Sequence, residues 1–227
     1  MSSLVARLAS RVRPQPEGSA GGVPPRVLLG WYLRKGALPA VRGVLRLPVL
    51  GAARAPLFLG RGVRIDYPRR LRVGRGVQIG AGSTINAYST DGVTLRDGVT
   101  IRENAWIQCT SHPANPGVGL EVGERTYIGP GAVIGVAGRI RIGRSCQFGA
   151  RVTLIAENHA IVDGMPSPTE VIRLGIDIGD GCWLGHGATV LDGVTLGPGC
   201  VVGAGAVVTK SFPERTRLVG SPARPLP

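Results

Sequence analysis

Residues Ile178–Val207 read IGDGCW, LGHGAT, VLDGVT, LGPGCV, VGAGAV: five successive blocks of six, each opening on an aliphatic residue and each carrying Gly at its fourth position. The same period runs back through VGRGVQ and IGAGST (73–84), LRDGVT and IRENAW (95–106), VGERTY and IGPGAV (122–133), then IGRSCQ and FGARVT (142–153). The last two residues of a block and the first of the next make a three-residue strand, in which the fifth and first positions face one way and the sixth the other. The second to fourth positions must then turn the chain, and Gly is abundant there because it accepts positive φ. Three such sides close a coil of about 18 residues, and coils stacked about 4.8 Å apart hydrogen-bond in parallel. An amphipathic helix is excluded, because the apolar spacing is two and six, and each Gly would cost a helix about 1 kcal/mol.

Composition agrees with an all-β, turn-rich solenoid. At 227 residues the chain suits one substantial domain, and 36 Gly and 18 Pro beside ten aromatics set it apart from a two-layer globule. A hydrophobic content of 43% excludes simple disorder. Cys146, Cys182 and Cys200 all fall on the fifth position, so buried thiols are predicted; Cys109 lies outside a clean block. The cysteines form no CxxC pair and no zinc-ligand spacing, so no metal is expected.

The formal charge of +13 is unevenly spread. Residues 1–72 hold 14 Lys or Arg against Glu17 and Asp66, whereas the remainder is nearly balanced. Basicity therefore belongs to an N-terminal segment, residues 1–55, and the body shows no interleaving of aromatic and basic residues that would stack nucleic-acid bases. Within it, VLLGWYLRKGALPAVRGVLRLPVL (27–50) mixes apolar and basic residues and is broken by Pro39 and Pro48. It is expected to cap the open end of the solenoid, to contact an anionic membrane surface, or both. The first stretch lacks an apolar signal core and nothing reaches the length of a membrane span, which reads as a cytoplasmic chain, with peripheral contact at the inner face of the membrane left open.

The run IDIGDGCWLGHGATVLDGVTLGPGCVVGAGAVVTKSFPERTRLVGSPARPL (176–226) resembles the hexapeptide-repeat acyltransferases, in particular sugar and polysaccharide O-acetyltransferases of the galactoside, maltose and colanic acid types. The similarity covers residues 73–227. It implies a left-handed parallel β-helix, an exception to the usual right-handed crossover, assembled as a homotrimer with sites in the grooves between subunits. It also implies acetyl-CoA as co-substrate and a sugar or glycan acceptor. The expected organisation is a solenoid over 56–210 and a short C-terminal tail over 211–227.

The hexads break once, at IAENHAIVDGMPSPTEVIRLGID (155–177), where the family carries its catalytic histidine on a loop. The resemblance makes His159 the general base, with Glu157 or Asn158 as orienting residues. A sugar hydroxyl is a poor nucleophile, and an imidazole can take its proton as it attacks a thioester. The resemblance places the oxyanion donor at Gly185 and His186. It also places the coenzyme beside Trp183 and Ala204, with Thr209, Lys210 and Arg224 near its phosphates. The stretch IGVAGRIRIG (134–143) lacks the acidic residue of galactoside enzymes, so no galactoside specificity is assigned. Three other readings share these features: an N-acyltransferase acting on an amino sugar, a zinc carbonic anhydrase type using His112, His159 and His186, and a non-catalytic scaffold.

Overall fold

In a computed structural model, residues 25–109 and 114–226 are described. The chain divides into two compact units, Met1–Leu38 and Pro39–Pro227. In the first, a helix over Pro25–Tyr32 is followed by a π-helical turn, Leu33–Ala37. His112, weighed above as a zinc ligand, lies outside the described residues.

The second unit is built from short strands on three faces, visited in rotation and paired in parallel as far as Val207–Val208. The first face runs from Ala52–Ala53 to Thr195–Leu196, the second from Leu57–Leu59 to Arg224–Pro225, and the third from Arg64–Asp66 to Val207–Val208. Cys182 and Leu184 are buried while Trp183 between them is 57% exposed, the alternation that the hexad requires. The fourth hexad position takes a positive φ even where it is not Gly: Asn104 at 57°, and Arg125, Ser145 and Arg151 at 56°. Because an L-residue pays about 1 kcal/mol for that conformation, the turn is imposed by the stacked coils.

Inside, first-position aliphatics and fifth-position small residues form one core column after another. Thr126, Cys146, Cys182 and Cys200 stack on successive coils, each fully buried. Each reaches a carbonyl of the next coil: Thr126 Oγ1 donates to Gly143 O at 2.7 Å, and the thiols reach Gly179 O, Gly197 O and Pro213 O at 3.2, 3.3 and 3.0 Å. The expected inert thiols are thus coil-to-coil ties. Burial pushes Cys109 up to about 11.

Coil length departs from the simple period. Asp177 pairs with Thr195, eighteen residues on, but Ile140 pairs with Ile176. All the extra residues enter at the corner between the third face and the first, two each at 67–70 and 136–138 and more at 87–92, 109–118 and 156–175. A single corner therefore carries every long loop. Residues 211–226, set apart above as a tail, continue the stack on two faces: Phe212 bridges Leu196, Arg217–Val219 pairs in parallel with Val201–Val202, and Arg224–Pro225 lies antiparallel beside it.

At the other end, the helix Leu38–Arg46 buries Pro39 and Gly43, Leu50 enters the core, and Arg42 donates to Leu59 O at 3.3 Å. A Cβ at Gly43 would lie 1.8 Å from Leu57 O, so only Gly lets the helix backbone rest on the first coil.

Candidate functional site

The break at 155–177 is an antiparallel hairpin, Asn158–Val162 paired with Met165–Ile172. Its two-residue turn is Asp163-Gly164, both at positive φ (51° and 78°), the mirror-image turn that suits the twist of a hairpin. Pairing is regular at Val162–Met165 and again at His159–Val171, with an irregularity between. Pro166 and Pro168 supply no N–H to the ladder, which explains the break. Across it Ser167 O meets His159 Nδ1 at 2.8 Å, and Glu170 N–H donates to Ser167 Oγ at 3.0 Å.

That contact fixes the imidazole's proton. A carbonyl only accepts, so Nδ1 carries a hydrogen, and in the neutral ring the lone pair is then on Nε2. His159 is exposed. Glu157, expected to orient it, is held instead by Arg173, whose Nη2 and Nε lie 2.8 and 2.9 Å from Glu157 Oε2. Both guanidinium donors converge on that one carboxylate oxygen. Asn158 is exposed at the foot of the hairpin, opposite Ile172.

Beneath the hairpin lies a hollow of about 210 Å³, lined by Trp106, Gln108, Asn115, Ile155, Glu157 and Arg173 among others. Arg173 also donates to Pro116 O at 3.3 Å, tying the hairpin to the loop on the coil below. The hollow brings an acid and amides to the third face, although the 134–143 stretch carries no acid. Trp106, Asn115 and Arg173 were not singled out by sequence, since their convergence depends on which coils carry the insertions. The Asp-Gly pair between two alternating runs was the readable sign of the hairpin.

The remaining candidates lie elsewhere on the coil. Trp183 stands outward on the second face, between Gln147 and Val201, and Arg224 ends that sheet beside Val219. Gly185, His186 and Ala204 occupy the corner between the second and third faces. Gly185 N–H is already committed to Val202 O at 2.7 Å, so it cannot serve as the oxyanion donor. His186 holds the third hexad position, where Pro130 and Pro198 stand in other blocks, so the coil's backbone ladder does not require an N–H there. Thr209 and Lys210 are exposed at the long-loop corner, with Lys210 Nζ 5.6 Å from the Phe212 ring centre. In one chain His159 thus rises from the corner between the third face and the first, whereas Trp183 and Arg224 lie on the second face and His186 at the corner between the second and the third. Among the described residues no group of three His, Cys, Asp or Glu is placed to hold a metal ion.

Two stretches of this coil match models of hexapeptide repeats. The family models described as bacterial transferase hexapeptide (six repeats) and hexapeptide repeat of succinyl-transferase match residues 175–210 and 70–108. A Dictyostelium discoideum protein named as a candidate acetyltransferase is 42% identical over 113 residues, 48% of this chain and 57% of that protein. A Schizosaccharomyces pombe protein named likewise is 36% identical over 87 residues, 38% of this chain and 42% of that protein. The chain thus spans about half the length of the curated relatives it matches. A mutant of AntD, an N-acyltransferase from Bacillus cereus solved with dTDP-4-amino-4,6-dideoxyglucose and coenzyme A, superposes with a TM-score of 0.57 at 16% identity, over 82% of this chain and 87% of that one. At that identity the likeness is one of fold.

Proposed function

We propose that this chain is a cytoplasmic acyltransferase that moves an acetyl group from acetyl-CoA to a hydroxyl of a sugar or glycan, with His159 Nε2 as general base. The observation that carries the reading is the Nδ1–H bond to Ser167 O at 2.8 Å, which leaves the other nitrogen as a base on an exposed hairpin. The acceptor hydroxyl, seated in the hollow with Asn115 and Glu157, gives its proton to Nε2 as its oxygen attacks the thioester carbonyl. His186 N–H is the donor for the oxyanion that forms. Collapse expels the coenzyme thiolate, which takes the proton back from the imidazolium, leaving an ester and a free thiol. Trp183 and Ala204 suit the apolar pantetheine arm, and Thr209, Lys210 and Arg224 suit phosphates.

The separation of these groups within one chain supports a composite site. We read a left-handed coil assembled as a homotrimer, in which the long-loop corner of one copy meets the second face of its neighbour. The kinship with transferase repeats and with candidate acetyltransferases supports the same activity. Mono- and oligosaccharides are to be screened with acetyl-CoA, reading free thiol. Turnover that falls at least about a hundredfold in His159→Ala is expected; turnover unaffected by that change refutes the base, and transfer to amino sugars alone moves the reading to N-acylation.

A further inference from the structure

The helix Leu38–Arg46 is inside out. Its buried positions are Pro39 and Gly43, while Val41, Val44 and Leu45 face outward at 59%, 57% and 74% exposure. The close approach of Gly43 to Leu57 O explains the choice of small residues within, but nothing in the coil requires bulky aliphatics without. Arg42 and Arg46 flank them, and residues 25–72 carry eleven Lys or Arg against Asp66 alone. The first unit repeats the mixture by itself: Trp31 and Leu33 are 51% and 46% exposed beside Arg34 and Lys35.

We infer that the outer face of Leu38–Arg46 seats on an anionic lipid surface. Aliphatic side chains enter the acyl boundary while guanidinium groups meet the headgroups. Charge complementarity selects this occupant. A nucleic acid would use the cations and leave the aliphatics in water, and a second copy would bring the same cations face to face. No helix among the described residues is long and apolar enough to cross a membrane, so the contact is peripheral. The inference stands apart from the transferase reading; joined to it, the acceptor class becomes a glycan carried on lipid.

The test is sedimentation of the full chain with vesicles of phosphatidylcholine alone and of phosphatidylcholine containing phosphatidylglycerol. Pelleting is expected only with the anionic vesicles, weakened by added salt. The double change Val44→Asp and Leu45→Asp is expected to lower partitioning about tenfold or more, with unfolding temperature and assembly mass as in the wild type because both side chains are exposed. Equal pelleting with both vesicles, or undiminished pelleting of the double variant, overturns the inference. So does a fall in assembly mass in that variant, which would make the face a contact between copies. No acyl transfer is read, so failure of the enzymatic reading leaves the result intact.

Discussion

Arg173→Ala probes how the hairpin holds its histidine. Through Glu157 and Pro116 O, Arg173 ties the two feet of the hairpin to each other and to the loop beneath. The side chains of Arg173 and Glu157 are 20% and 32% exposed, so solvent screens the pair in part. A charge-assisted hydrogen bond contributes about 1.5–3 kcal/mol; with the screening discounted, the whole strut is worth about 2 kcal/mol, roughly 30-fold in an equilibrium constant. The hairpin lies outside the stacked coils, so the loss falls on local opening and not on global unfolding. Amide hydrogens in 158–162 and 165–172 should exchange about 30-fold faster, while those of Thr153–Ile155 and Thr189–Leu191 stay as they were. Under the proposed function kcat falls about tenfold as His159 loses its fixed place. Arg173→Lys recovers part of both effects, because it keeps the charge and loses the fork. Unchanged exchange in the hairpin, or acceleration spread evenly through the coils, refutes the strut.

Thr126→Val keeps the volume of a buried side chain but strands Gly143 O and the Cys146 N–H that Thr126 Oγ1 accepts at 3.0 Å. Stability should fall by about 1–3 kcal/mol, seen as a lower urea midpoint at constant slope, with Thr126→Ser recovering most of it; an unmoved midpoint would show that the hydroxyl ties nothing. Cys109 makes stability depend on pH, since burial raises its folded value from 9.0 to about 11. Above the unfolded value the open chain releases a proton that the folded chain keeps, so stability present below pH 9 is lost between about 9 and 11, by about 2–3 kcal/mol. Cys109→Ala should flatten that part of the profile relative to wild type; parallel profiles would deny the thiol this role.

The hexads made the coil legible because every sixth-position side chain must leave the core: Trp183 does so between two buried neighbours. Coil length was not legible, since a hexad specifies a strand and a corner but says nothing of how much chain may be inserted where one coil passes to the next. His159 was readable as a histidine in the interruption. Its partner was not, because Ser167 O reaches it only through an irregular antiparallel pairing, and local sequence placed Glu157 nearer. The oxyanion assignment to Gly185 failed for the same reason, its N–H having been drawn into the ladder by a residue on the next coil. Side-chain partners here are set by stacking, and stacking places every insertion on one corner while Trp183 stands on the face opposite it. Under the proposed function, a base and a thioester so separated can meet only across two copies, so mixing an inactive His159→Ala chain with an inactive Trp183→Ala chain should restore activity at the interfaces that pair an intact His159 with an intact Trp183. Failure of such mixtures, in assemblies shown to contain both chains, would place the whole site within one copy.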